Sequence, residues 1–209
     1  NMIVTGSKQG IITFWDLMAQ AKDGHINAHS YPKDDNLDRS TINRIKVSND
    51  MRFMITAGSD CTLKVFDPNH QDHQATLKGH RGPVLDVDIS VDNRCFVSAS
   101  ADKTLRVWSC DTFQCLNHCI GHFKEVVSCS FGGTGHAVFA SSSLDGSVRT
   151  WQTDTGAVVN AFMGHQGSVN CAAMGVTGPQ VVSTGDDSTV RVWDTSDGCQ
   201  MDQYGRDRP

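Results

Sequence analysis

The chain has 209 residues, 38% of them hydrophobic, and its 18 Lys and Arg against 23 Asp and Glu give a net charge of −5 and a pI near 5.9. That apolar content suffices to bury cores between neighbouring sheets, whereas basic residues scattered singly lack the positive footprint of sequence-independent nucleic-acid binding, so no direct nucleic-acid contact is expected. Eight cysteines form no CxxC pair or zinc-ribbon spacing, and Asn-x-Ser/Thr acceptors, a signal-like start and an apolar run able to cross a bilayer are all missing; the sequence predicts an intracellular, reducing setting, the cytoplasm first, with cytoskeleton, cilium and nucleus left open.

In chain order, residues Asn1 to Thr5 read as the second strand of a unit whose aromatic is Trp15. The next aromatic, Phe66, lies 51 residues on, about nine more than separate later ones. The excess is assigned to Met18 through Arg39, a polar stretch with His25, His29, Pro32 and Asp34-Asp35. It reads as a solvated loop, with a partner-docking loop as the functional alternative. His25 and His29 would share a metal only on a helix, and no further ligand is placed.

The third unit is typical. Val84 to Ile89 reads as the innermost strand, Arg94 to Ser100 as the second, Thr104 to Trp108 as the third and Phe113 to Leu116 as the outer one, with Asp102-Lys103 as a turn. Equivalent turns are Asp60-Cys61, Asp145-Gly146 and Asp187-Ser188. No apolar pattern at helical spacing is sustained over a helix length, so the chain is expected to be all-β.

The units repeat in register. Gly79-His80, Gly121-His122 and Gly164-His165 precede Trp108, Trp151 and Trp193 by 28 or 29 residues, with Ser98, Ser141 and Ser183 ten before each Trp and Asp102, Asp145 and Asp187 six before. Phe66 has Thr56 and Asp60 at those offsets, with Asp38 where the histidine belongs. The first unit keeps only Thr5 and Trp15, with Gln9 in the aspartate slot. Trp15-Asp16, Phe66-Asp67 and Trp193-Asp194 complete a pattern that resembles the WD40-repeat β-propellers, although Trp108-Ser109 and Trp151-Gln152 depart from it.

The resemblance implies an all-β propeller segment of about four and three-quarter blades of four-stranded antiparallel sheets. The approximate blades are residues 1–35 (partial), 36–78, 79–120, 121–163 and 164–205, with 206–209 as a tail. Propellers typically close with about 4–8 blades, and the usual number in this family is about seven, so further blades are expected outside these residues.

Ser, His and Asp can assemble a hydrolytic triad. An enzyme needs one such set, however, and three complete sets at one spacing fit a structural element that every blade requires. An indole N–H needs an acceptor, a hydroxyl can accept it and donate to imidazole, and the other imidazole nitrogen can donate to a carboxylate. By resemblance that network is assigned to His80, Ser98, Asp102 and Trp108; to His122, Ser141, Asp145 and Trp151; and to His165, Ser183, Asp187 and Trp193. With Asp38 facing Asp60, blade two is expected to rely on packing of Phe66 instead. Lys64, Arg106, Arg149 and Arg191, two residues before each aromatic, read as a column of solvated strand residues.

No GxSxG elbow, phosphate loop or HExxH pattern occurs, and no catalytic residue, cofactor or metal is assigned. The family docks partners on its narrow face through positions three and five after the histidine and the residue before the turn aspartate. Those are Pro83, Leu85 and Ala101 in blade three, Glu125, Val127 and Leu144 in blade four, and Ser168, Asn170 and Asp186 in blade five. Blade two, aligned through Asp38, offers Thr41, Asn43 and Ser59. The apolar members come from blades three and four with polar flanks, the anatomy of a protein-binding patch; alternatively Leu85 and Val127 only continue strand burial. The expected function is a non-catalytic protein-interaction scaffold, a subunit of a larger complex with no membrane contact. The alternatives are the propeller of a larger enzyme or NTPase, the substrate receptor of a modifying enzyme, and a structural part of a cytoskeletal, ciliary or ribonucleoprotein assembly.

Overall fold

A computed structural model describes residues 2–30, 40–132, 137–175 and 177–205. The described residues form nineteen strands in five antiparallel sheets and no helix. The first sheet has three strands, β1 (Met2–Gly6), β2 (Ile11–Asp16) and β3 (Ala21–Asn27). The second is β4 (Ile42–Val47), β5 (Met54–Gly58), β6 (Leu63–Phe66) and β7 (His73–Leu77). The third holds β8 (Val84–Ile89), β9 (Cys95–Ser100), β10 (Thr104–Ser109) and β11 (Cys115–Ile120); the fourth β12 (Val126–Phe131), β13 (Val138–Ser143), β14 (Ser147–Gln152) and β15 (Val158–Met163); the fifth β16 (Val169–Met174), β17 (Gln180–Gly185), β18 (Thr189–Asp194) and β19 (Gln200–Gly205). Every sheet is a simple meander. The chain divides into two compact units, Asn1–Leu85 and Asp86–Pro209, with the boundary inside β8.

Two sequence expectations are corrected here. The outer strand of the third sheet is Cys115–Ile120, later than Phe113 to Leu116, because Phe113 takes φ 55° in the turn before it. The polar stretch after Met18 is not all loop, since Ala21–Asn27 forms β3 and pairs with β2. His25 therefore stands on a strand, opposite Thr13, and the helical spacing that would bring it to His29 is not realised. Among the described residues no group of three His, Cys, Asp or Glu could hold a metal ion.

The first unit is built around Ile12, Phe14, Ala28, Ile42, Met54 and Phe66, side chains from the facing first and second sheets. In the second unit one cluster, including Val97, Leu105, Val126, Phe139 and Trp151, fills the space between the third and fourth sheets. A second cluster, including Val148, Phe162, Val181 and Trp193, lies between the fourth and fifth. Apolar burial of this kind, at roughly 25 cal/mol per Å², supplies the cohesion. The second strands of the second and third sheets, β5 and β9, are covered on both sides and buried at every position.

Polar links add register at both edges of the stacked sheets in the second unit. Asp86 and Asp88 of β8 accept the backbone N–H groups of Cys129 (3.1 Å) and Phe131 (2.8 Å) on β12. Ser128 of β12 accepts that of Ala172 on β16 (3.0 Å). At the outer strands, Asn117 donates to the Thr153 carbonyl (2.7 Å) and Asn160 to that of Thr195 (2.6 Å).

The four Asp turns share one geometry. The residue after each aspartate lies in the left-handed region: Cys61 (φ 65°), Lys103 (73°), Gly146 (85°) and Ser188 (62°). In each, the aspartate accepts the N–H two residues on, from Thr62, Thr104, Ser147 and Thr189 at 2.9–3.1 Å. This is the local side-chain turn for which aspartate is favoured.

Candidate interaction face and the networks beneath it

In the fourth sheet, Trp151 Nε1 donates to Ser141 Oγ (2.8 Å), which lies 2.8 Å from His122 Nε2, and His122 Nδ1 lies 3.0 Å from Asp145. The fifth sheet repeats this with Trp193 to Ser183 (2.8 Å), Ser183 to His165 (2.8 Å) and His165 to Asp187 (2.9 Å). One proton arrangement satisfies every member: the hydroxyl accepts from indole and donates to Nε2, leaving Nδ1–H for the carboxylate. In the third sheet Trp108 donates to Ser98 (2.9 Å), both within the second unit. His80 belongs to the first unit and is buried. In the first sheet only Trp15 to Thr5 remains (3.0 Å), with the indole exposed.

Blade two differs from expectation. His29 occupies the histidine position, with Nε2 2.7 Å from Thr56 Oγ1 and Nδ1 2.9 Å from Asp60. Asp38 lies outside the described residues, and no carboxylate is needed where an imidazole already stands. The network is intact up to Phe66, which has no N–H to donate. With no indole to accept from, Thr56 Oγ1 keeps its contact with His29 Nε2 and lies 3.4 Å from the Lys64 carbonyl.

A fifth network member was missed from sequence. Thr62, Ser147 and Thr189 donate their hydroxyls to Asp60, Asp145 and Asp187 at 2.6–2.8 Å while lying 3.2–3.4 Å from the imidazole. Thr104 does the same for Asp102 (2.7 Å). The signal, Asp-x-Ser/Thr, stands at each of the four Asp turns, beginning at Asp60, Asp102, Asp145 and Asp187.

Electrostatics follow from these contacts. Burial alone would push Asp145 upward. The Ser147 hydroxyl, the amides of Phe123 and Ser147, and His122 outweigh it and hold the carboxyl at about 2. Asp187 and Asp60 are lowered in the same manner against the same burial. Burial pushes His122 below its ordinary value, against the opposing pull of Asp145. Ser98, Ser141 and Ser183 are at most 1% exposed and already accept an indole proton, so none has an open approach for a carbonyl carbon.

The structure also accounts for the glycine of Gly-His. A Cβ at Gly121 would lie 2.9 Å from Arg149 Nη1 and 3.0 Å from Trp151 Cη2; at Gly164 it would lie 2.7 Å from Arg191 Nη1 and 3.1 Å from Trp193 Cη2. Where Phe66 and Lys64 replace Trp and Arg, the position before His29 is Ala28. Two arginines of the basic column are thus not simply solvated. Arg191 is buried, bonded to Gln200 (2.7 Å) and 3.6 Å from Asp187, and Arg149 lies 5.8 Å from the centre of the Phe123 ring.

In blades two, four and five the three face positions converge at the start of the innermost strand. Asn43, Val127 and Asn170 each fall in a β-bulge, between Ile42 and Arg44, Val126 and Ser128, and Val169 and Cys171. Bulges re-aim a side chain away from the pleat. The carbonyls of Thr41, Glu125 and Ser168 accept the N–H of Ser59, Leu144 and Asp186 at 2.9–3.0 Å. Asn43 Nδ2 donates to Ser59 (3.1 Å) and Asn170 Nδ2 to Asp186 (2.7 Å). Glu125, Asn170 and Asp186 are exposed, while Thr41, Asn43, Ser59, Val127, Leu144 and Ser168 are half-buried. Pro83 and Leu85, in the first unit, and Ala101, in the second, are likewise half-buried.

Comparison with known proteins follows the same repeat. The family model described as "WD domain, G-beta repeat" matches residues 22–67, 71–109, 113–152 and 156–194. Each match runs from the outer strand of one sheet through three strands of the next. Similar curated proteins include Eukaryotic translation initiation factor 3 subunit I of Brugia malayi, 32% identical over 36% of this chain and 23% of that protein. Target of rapamycin complex subunit LST8 of Saccharomyces cerevisiae is 29% identical over 51% of this chain and 33% of its own length. Pre-mRNA-processing factor 19 of Bos taurus is 34% identical over 41% and 17%. The chain thus spans a third or less of these relatives. With the repeat matched over more than half its residues, the chain belongs to the WD40-repeat family.

Proposed function

We propose that this chain is a non-catalytic scaffold that holds partner proteins in a multiprotein intracellular assembly, with the narrow face of blades four and five as a docking surface. The observation that carries this reading is the convergence of three side chains per blade at a β-bulge, above networks whose hydroxyls and carboxylates are already saturated. Val127 and Leu144 supply the apolar part, and Glu125, Ser168, Asn170 and Asp186 a polar rim, the division found in protein interfaces. Pro83, Leu85 and Ala101 of blade three, and Thr41, Asn43 and Ser59 of blade two, are the further candidates. Two of the relatives are named as subunits of assemblies, a translation initiation factor and a target of rapamycin complex, which favours a subunit role over catalysis.

The test is quantitative mass spectrometry of proteins co-purifying with the tagged full-length parent, beside a parent carrying Val127→Glu and Leu144→Glu. Loss of a fixed-stoichiometry partner at unchanged melting temperature upholds the proposal; retention of every partner overturns it. A second reading, a part in a ribonucleoprotein assembly, is favoured by one relative whose name is "U3 snoRNP-associated protein-like EMB2271". In that reading the partner lost is a protein of such a particle.

A further inference from the structure

A cleft of about 450 Å³ opens in the first unit over the turn of blade two, with Ser30, Thr62, Lys64, Thr76 and Lys78 on its walls and Asp60 at its base. Its existence traces to four replacements within the repeat. Where blade four has Phe123 after its histidine, lying against Arg149, blade two has Ser30 and Lys64. Where blades four and five have Trp151 and Trp193, it has Phe66. Where Ile120 and Met163 precede the other Gly-His pairs, both about two-thirds exposed, Lys78 precedes Gly79-His80. The place that Phe123 and Arg149 occupy in blade four is left open here, and its walls carry two ammonium groups, Lys64 and Lys78.

The placement follows from strand geometry. Lys64 on β6 pairs directly with Thr76 on β7, and Thr62 and Lys78, the residues flanking those strands, line the same cleft. Neither lysine has an ion-pair partner among the described residues. The one carboxylate in the cleft, Asp60, is already engaged by His29, the Thr62 amide and the Thr62 hydroxyl. The lysines are therefore the uncommitted charges of the site.

We propose that this cleft binds a phosphomonoester. Such a group carries a charge of about −1.5 to −2 and three acceptor oxygens, which two ammonium groups and the surrounding hydroxyls match in charge and donor number. The volume falls within the ordinary range of about 300–1,000 Å³ for ligand sites. The site shares no residue with the docking face of blades four and five and does not depend on it.

The experiment is calorimetric titration of the full chain with a phosphoserine peptide and with inorganic phosphate, at constant ionic strength. Two variants remove the site in different ways. Lys64→Gln with Lys78→Gln takes away the charge, and Ser30→Phe installs the ring that closes the same place in blade four. Saturable binding that falls about tenfold or more in both variants, with melting temperatures unchanged, is the expected result. No saturable binding by the parent, or binding that survives the loss of both lysines, overturns the proposal. Should one variant fail to fold, the other decides. Equal affinity for inorganic phosphate and the peptide identifies a free phosphate compound as the occupant; tighter binding of the peptide by tenfold or more identifies a phosphorylated segment of a partner.

Discussion

Replacing Asp145 by alanine tests how much the buried network contributes. The carboxylate accepts four hydrogen bonds, from His122 Nδ1 (3.0 Å), the Phe123 amide (2.9 Å), the Ser147 amide (2.9 Å) and the Ser147 hydroxyl (2.6 Å). Phe123 is exposed, so its amide can turn to water. The other three donors belong to His122 and Ser147, which are at most 6% exposed. Orphaning a buried donor costs about 1–3 kcal/mol; since the Ser147 oxygen, 3.2 Å from Nδ1, can accept the imidazole N–H in the carboxylate's place, the Ser147 amide and hydroxyl count in full, and Asp145→Ala is expected to cost about 2–6 kcal/mol. Asp145→Asn keeps one acceptor oxygen for the turn amide and is expected to cost about half as much. Urea denaturation of both variants, read as a shift in midpoint at constant slope, gives the numbers. Hydrogen exchange should locate the loss in β12 to β15, because stability in repeat arrays is set by each unit and its neighbours. A cost for Asp145→Ala below about 1 kcal/mol, or equal costs for Ala and Asn, would refute the reasoning.

Gly121→Ala should destabilise by about 1–3 kcal/mol, since its methyl meets a buried indole edge. In a Trp151→Phe background the same change should cost clearly less, and a double-mutant cycle on thermal or urea unfolding measures that coupling; strict additivity would show that the ring is not what excludes the methyl. For pH, the depressed Asp145 carboxyl contributes stability that is present above its unfolded value of 3.8 and lost as pH falls toward about 2, at most about 2 kcal/mol by linkage. The lowered His122 means that the unfolded chain binds its proton first, so stability also declines as pH falls below 6.5. Melting curves between pH 7 and pH 2 should show both losses, with the acid limb flattened in Asp145→Asn.

Much of this was legible in sequence because the repeat fixes polar residues at constant offsets. The Trp, Ser and Asp positions of blades four and five meet in space as their spacing implies, and the Asp turns fall where an apolar alternation breaks. His29 was not legible by counting. The extra residues enter after the histidine, and counting back from Phe66 therefore lands on Asp38. Extra chain between two repeat positions costs little, about 0.6 kcal/mol per doubling of loop length, so spacing carries no constraint at that point. Strand β3 escaped notice for a different reason, as most of its residues are exposed and there is no buried face to impose alternation. The arginines were misjudged because a charged residue at a strand position reads as solvated, whereas Arg191 finds Gln200 and Asp187 within its own sheet. The Asp-x-Ser/Thr contact, by contrast, was written in the chain and needed only the hydroxyl to be counted.

The links between neighbouring sheets in the second unit sit at opposite ends of each meander: aspartates and a serine on the innermost strands, asparagines on the outermost. A sheet fastened at a single edge could swing like a page about its spine. One fastened at both has no soft axis, and any opening must break polar contacts at two radii together with the apolar layer between them. A surface carried on such a stack arrives at its partner already shaped, and little ordering entropy remains to be lost on contact.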